Sequence, residues 1–178
     1  MTAPDPQQQP DLLHFARDVY ARPGITALCL RLQDEYDVDV VLLLMCCWHG
    51  CYHGVLSETG FAQASAFSRH WREQLVRPLR QARRWLKPHP ADTAGIAGAD
   101  QESLRERIKA LELDTEFMQL RALAGLVTAA PAGKSAATDN DASTAIRRNL
   151  ALYAREHNLS TALDESTVSL LSQASLAL

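Results

Sequence analysis

Residues 37–54, DVDVVLLLMCCWHGCYHG, contain the most apolar stretch of this sequence and decide how the rest of it folds. Positions 40–48 are apolar without interruption, but a membrane-spanning helix needs about 20 such residues. In a folded domain, a helix that is apolar on all sides is surrounded by other helices. We therefore expect this segment to be the central helix of a bundle, with Asp37 or Asp39 capping its start.

The rest of the chain supports the same fold class. Apolar residues make up 47% of the 178 residues, which is enough for a core, and they recur at helical rather than strand spacing. The sequence predicts a single all-α domain, an irregular or orthogonal bundle of about five to seven helices. We divide it into a flexible leader (1–10), a helical core (11–128), a linker (129–143) and a C-terminal helical segment (144–178). In the last long helix of the core, the residues expected to face inward are Leu104, Ile108, Leu111 and Met118.

The longest helical pattern follows Gly60 and contains a proline. Its predicted inward stripe is Ala64, Phe67, Trp71, Leu75, Leu79, Ala82 and Leu86. Pro78 lies within the stripe and lacks a backbone N–H, so it should kink or split the helix there. Trp71 and Trp85 are expected on the apolar side, as core residues.

The same helix carries most of the positive charge. Seven basic residues between positions 69 and 89 face one acid, Glu73, a local charge of +6 in a chain of net charge −3. The first interpretation is a docking surface for an acidic protein or RNA. Its residues would be Arg69, Arg72, Arg77, Arg80, Arg83 and Lys87. The second is internal pairing, with Glu112, Asp114 and Glu116 as partners on a neighbouring helix. No helix-turn-helix or zinc-finger pattern is present, so we expect no sequence-specific DNA binding.

Cysteines and histidines are concentrated in the central helix and raise the question of a metal site. At about 100° per residue, His49 and His53 share one face, whereas Cys47 and Cys51 lie on another, about 160° away. Cys46 falls on the histidine face, but about 10 Å along the axis from His53. The sequence therefore predicts core thiols, no bound metal and no cofactor. A metal or thiol sensor using Cys46, His49 and His53 is the alternative.

No catalytic motif stands out, so the leading functional hypothesis is a non-catalytic interaction or adaptor protein. "APAGKSA" lacks the first glycine of a phosphate-binding loop, and no nucleophile elbow occurs. An enzyme with a site built from dispersed residues of several helices stays open. The N-terminal decapeptide is polar and has no basic residue, which is not typical of a secretion signal, so the expected location is the cytoplasm.

Several short segments together resemble a family of short gammaproteobacterial proteins of unknown function. The matching positions are Tyr20, Ala21, Pro23, Gly24, Leu32, Gln33, Asp34, Asp39, Val40, Leu43, Leu44, Trp48, Pro78, Leu79, Arg80, Glu112 and Glu116. They cover roughly residues 12–125. The resemblance implies an all-helical cytoplasmic protein without an established activity and, through its gene neighbourhood, a ribosome-associated or translational partner. The family pattern does not require the cysteines and histidines of residues 46–53, which disfavours the metal site.

Overall fold

The computed structural model describes residues 10–87, 95–129 and 142–177. Its helices are α1 (Leu12–Tyr20), α2 (Ile25–Tyr36), α3 (Val40–Tyr52), α4 (Glu58–Trp71), α5 (Arg77–Trp85), α6 (Gly98–Ala129), α7 (Ala142–Glu156) and α8 (Glu165–Leu176). A π-helical turn, Arg72–Val76, joins α4 to α5 without a break, so these ranges contain seven separate helical rods and no strand. The prediction of an all-α bundle is confirmed. The predicted leader and linker fall almost entirely outside the described residues.

Side-chain caps fix where several helices begin. Asp11, Asp39, Ser57 and Asp164 each accept a hydrogen bond from the N–H three residues later, in α1, α3, α4 and α8 respectively. Such caps satisfy one of the backbone donors that a helix start leaves without an intrahelical partner. Of the two predicted caps of α3, Asp39 is therefore the correct one. Asp37 instead ends α2 in the left-handed conformation.

Helix α3 is the centre of the bundle, as predicted. Every residue from Leu42 to Gly50 is buried, and α1, α6, α7 and α8 pack around it. The closest approach is to α7, where a Cβ added to Gly50 would lie 2.6 Å from the Ile146 nitrogen. Ile146, Leu150 and Tyr153 of α7 are fully buried in the same core cluster as α3. The C-terminal helices thus complete the core formed by the first six.

The π-helical turn changes which residues of the α4–α5 rod face the core. The Arg77 N–H bonds the Arg72 carbonyl, five residues back, so the turn contains one more residue than an α-helical turn. This extra residue rotates everything that follows. Val76 and Arg80 are buried, whereas Leu75 is 38% exposed and Ala82 is also exposed, so the predicted stripe is wrong at those two positions. Leu86 is buried, as predicted, and Leu79 is partly buried. Pro78 directly follows the π-helical turn as the second residue of α5, and the backbone there stays helical and is not split.

Helix α6 also faces the bundle differently from the prediction. Leu104, Leu111 and Met118 are exposed, and the buried side of the helix carries Glu112 and Gln119 along with leucines. Periodicity assigns apolar residues to the interior. Here polar side chains occupy part of that face because their hydrogen-bond partners lie on α3, α4 and α5.

Candidate functional site

The basic residues of α5 are held by acids from other helices. Arg80 is 9% exposed; its Nε donates to Glu112 Oε1 at 2.8 Å and its Nη2 to Glu116 Oε1 at 2.9 Å. Arg83 Nε donates to Glu112 Oε2 at 2.6 Å. The solvent-facing position predicted for Arg80 is therefore wrong, since the π-helical turn rotates it inward. The internal-pairing interpretation is confirmed for Glu112 and Glu116.

Helix α2 supplies partners for the opposite side of the basic helix. Arg72 and Arg77 both donate to the Asp37 carboxylate, and Arg84 Nη2 donates to Asp34 Oδ1 at 2.5 Å. Arg69 and Lys87, at the two ends of the basic segment, have exposed side chains. Most of the local +6 charge is thus balanced within the bundle. Binding of a partner by these cations stays a prediction.

Burial and pairing move the carboxyl pKa values in opposite directions. Desolvation raises the pKa of Glu112, but hydrogen bonds from Arg83 and Arg80 outweigh it and the net pKa lies below the ordinary value. Desolvation is the larger effect at Glu116, whose pKa is raised despite the nearby Arg80. The hydrogen bond from Arg83 to Glu112 raises the pKa of that guanidinium. Glu116 is therefore the member of this cluster that is most easily protonated.

A cleft of about 390 Å³ opens beside this cluster, between α1, α2, the start of α3, the π-helical turn, α5 and α6. Its charged lining residues are Arg17, Asp39, Arg72, Arg80 and Glu116. Apolar walls come from α1, α3 and α6, chiefly Ala16, Val40, Val41, Leu44, Phe117 and Leu120. The volume and the mixture of apolar walls with a few polar groups are typical of small-molecule sites.

The inner wall of the cleft is a buried polar network centred on Asp39. Its carboxylate accepts from Leu42 N at 3.2 Å, from Ser68 Oγ at 2.5 Å and from Gln119 Nε2 at 3.3 Å. The Asp39 N–H donates to the Tyr153 hydroxyl at 3.0 Å. The sequence indicates Asp37 or Asp39 as a cap but gives no sign of Ser68 and Gln119, because neither belongs to a motif. Their partners lie on other helices, so no local pattern indicates them.

The cysteine–histidine segment is helical to Tyr52, as the geometric prediction requires. The rings of His49 and His53 are 5.3 Å apart, which confirms their shared face. Burial raises the pKa of Cys47 and Cys51 to about 12 and that of Cys46 well above its usual value, so these thiols are protonated at neutral pH. Within the described ranges, no group of three or more histidine, cysteine or acidic side chains is arranged to hold a metal ion. The sensor alternative gains no support from this arrangement and stays untested.

Buried His49 should make the fold sensitive to mild acid. Its Nδ1 bonds the Gly54 carbonyl at 2.9 Å, and desolvation lowers its pKa to about 4. An unfolded chain takes up the proton below about pH 6.5, whereas the folded protein resists it until about pH 4. We expect His49 to cost the protein about 2 kcal/mol of stability between pH 7 and pH 4.5. His49→Asn, which keeps a donor but cannot be protonated, should remove that part of the loss.

Urea unfolding at a series of pH values measures this effect. His70→Asn is the matched control, because His70 is an exposed residue of α4. Parallel pH profiles for the parent protein and His49→Asn would contradict the assignment.

The tryptophans of the basic helix differ in their environment. Trp71 is half-buried, stacks on Phe67 and donates from Nε1 to the Thr115 carbonyl at 3.0 Å. Trp85 is 56% exposed, so its predicted core position is wrong. The reason is again the rotated register of α5.

Fold and site together define an all-helical protein with an internally neutralised basic helix and an amphipathic cleft beside it. No helix in the described part of the chain has both the length and the apolar character needed to cross a membrane. The chain belongs to the DUF2390 family, whose model, described as a protein of unknown function, matches residues 11–123. Comparison with curated proteins and with solved structures gave no match. The matched segment contains the basic helix, the cleft and the Asp39 network apart from Tyr153, but not α7 or α8.

Proposed function

We propose that the protein is a non-catalytic interaction protein that docks a helix of a partner protein on an exposed apolar ridge. This ridge consists of Leu75 from the π-helical turn and Leu104, Leu111 and Met118 from α6. These side chains are 38%, 44%, 53% and 56% exposed, respectively. Contiguous exposed apolar patches on folded domains often mark interaction sites. This exposure is the observation that carries the proposal.

The spacing of the ridge suits a helical partner. Leu104, Leu111 and Met118 are each seven residues apart, or about 10.5 Å along α6. A helix that packs in a coiled-coil seam presents two apolar positions in every seven residues. The ridge residues supply one of them in each heptad, and Ile108 supplies the other between Leu104 and Leu111. The bond from Trp71 to Thr115 places the half-buried side of the α4–α5 rod next to the same flank of α6. Leu75 therefore extends the ridge from α6 onto the α4–α5 rod.

The arginines beside the ridge favour an acidic partner. Arg107 and Arg121 are exposed three residues after Leu104 and Met118, respectively. The equivalent position after Leu111 is the exposed acid Asp114, so the bases outnumber the acids two to one at these positions. Arg69, Arg77 and Lys87 are the most accessible of the predicted partner-binding residues, although Arg77 is paired with Asp37. RNA is the less favoured partner, because Arg72, Arg80, Arg83 and Arg84 are already paired with carboxylates. A cytoplasmic location and a translational partner, as expected from the sequence, remain part of the proposal.

A co-precipitation experiment with paired variants tests this surface. We expect Leu111→Glu with Met118→Glu to abolish recovery of the partner from an extract of the native host. Leu30→Glu with Leu170→Glu is the matched control, because these leucines are exposed on α2 and α8 and do not belong to the ridge. Cross-linking from residues beside the ridge should join α6 to that same partner. Equal recovery with both double variants would overturn the proposal.

A further inference from the structure

We infer that the cleft between α1, α2, α3, α5 and α6 binds a small amphipathic carboxylate that carries a hydroxyl or amide donor near its acid group. Two arginines of the lining have guanidinium N–H groups that are not used in hydrogen bonds to the protein. Arg80 uses Nε and Nη2 on glutamates. Arg72 uses Nη2 on Asp37, and its Nε lies 3.8 Å from Asp39 Oδ2. For Arg80 Nη1 and Arg72 Nη1, no residue in the described ranges supplies an acceptor. These groups provide the positive end of the site.

The first turn of α3 adds further donors at the same place. Val40 and Val41 line the cleft, and a helix start leaves its first N–H groups without intrahelical partners. Asp39 satisfies the N–H of Leu42 and accepts that of Leu43 through its carbonyl, but neither Val40 nor Val41 has an acceptor within the described chain. Backbone N–H groups at a helix start favour an anion. They lie on the same cleft as the two arginines.

The free hydrogen-bonding groups of the lining also favour an anion. Three arginines and two carboxylates line the cleft: Arg17, Arg72, Arg80, Asp39 and Glu116. Two further carboxylates pair with these arginines from outside the lining, Asp37 with Arg72 and Glu112 with Arg80. The Asp39 carboxylate is already occupied by Ser68, Gln119 and the α3 backbone. Glu116 accepts from Arg80. A ligand carboxylate would therefore meet more free donors than competing acceptors.

Gln119 indicates the additional donor on the ligand. This residue lines the cleft and is 1% exposed, and its Nε2 donates to Ser68 Oγ at 2.6 Å. That bond fixes the amide orientation and leaves Oε1 buried, without a donor from the described residues. An unsatisfied buried acceptor is costly. A ligand hydroxyl or amide N–H reached by a small rotation of Gln119 would satisfy it, while the tail packs on Phe117, Leu44 and Leu120.

Titration calorimetry with four eight-carbon probes tests the inference on the full-length protein. The probes are 3-hydroxyoctanoate, octanoate, 1-octanol and octylamine. We expect saturable binding in that order, with octanol about tenfold weaker than octanoate, because hydrogen bonds to a charged group are lost. Equal affinity of octanol and octanoate would overturn the charged site. Absence of saturable binding by every probe would overturn the inference entirely.

A pair of charge-adding variants locates the site. Leu113 lines the cleft and is 48% exposed, so Leu113→Asp places a carboxylate at the mouth without disturbing the core. We expect it to weaken octanoate binding about tenfold. Ser103→Asp adds the same charge to an exposed position of α6, ten residues earlier and outside the cleft lining, and should leave binding unchanged. Equal loss in both variants, or in neither, would contradict the assignment. Thermal melting checks that both variants are folded.

Discussion

Replacing Gly50 with alanine is expected to destabilise the protein by about 3 kcal/mol, the upper range for overpacking a core. The new Cβ would lie 2.6 Å from the Ile146 nitrogen, 2.7 Å from its Cα and 2.7 Å from its Cγ1. Two of these atoms are backbone, so a change of rotamer cannot relieve the contact. Helices α3 and α7 would have to separate at the point of their closest approach. Urea unfolding monitored by circular dichroism measures the change.

Gly125→Ala is the control for this substitution. Gly125 lies in α6, is exposed, and has nothing within 4 Å of an added Cβ. Alanine is a better helix former than glycine by about 1 kcal/mol, so this variant should be slightly more stable than the parent. If Gly50→Ala also stabilises the protein, the close packing of α3 on α7 is wrong.

Arg80→Met is expected to cost about 3 kcal/mol, because it leaves buried carboxylates without their cation. Glu116 would lose its hydrogen bond from Arg80, and Glu112 would keep only Arg83. Since desolvation already raises the pKa of Glu116, the variant should take up a proton there more readily, and its deficit should shrink towards acidic pH. Chemical denaturation at pH 7.5 and pH 5 measures both effects.

Arg84→Met serves as the comparison for a surface pair on the same helix. Arg84 and its partner Asp34 have side chains that are 52% and 53% exposed. Exposed pairs of this kind contribute about 0–1 kcal/mol, so the loss should be small. Adding Glu116→Gln to Arg80→Met should recover part of the stability, because it removes the uncompensated charge. Equal losses for Arg80→Met and Arg84→Met would show that the Arg80 cluster is not buried.

The parts of the fold that sequence predicts are those with a local cause. Carboxylates before an apolar run limit the cap of α3 to Asp37 or Asp39, and continuous hydrophobicity identifies α3 as the central helix. The register beyond Trp71 has no such local cause. One additional residue in the π-helical turn moves Val76 and Arg80 inward. No pattern in residues 72–76 predicts that turn. A strictly α-helical wheel therefore turns Leu75 to the wrong side.

The candidate site is harder to predict, because its parts meet only through tertiary packing. The possibility of pairing with Glu112 and Glu116 can be read from charge alone, but the choice between pairing and display depends on rotation of α5. The cleft depends on the relative placement of α1, α2, α3, α5 and α6. Ser68 and Gln119 have unremarkable sequence neighbours, and their roles follow from a carboxylate 29 and 80 positions away, respectively.

The contribution of α7 has a consequence for biosynthesis. Asn149 donates to the Cys46 carbonyl, 103 positions away, and accepts a hydrogen bond from the Leu56 N–H. The Tyr153 hydroxyl accepts from the Asp39 N–H, 114 positions away. The central apolar helix leaves the ribosomal exit tunnel long before these residues are translated. During that interval the side of α3 that packs on α7 is uncovered, so the nascent chain presents a hydrophobic target for chaperones. The native packing of α3 is complete only after α7 has been translated.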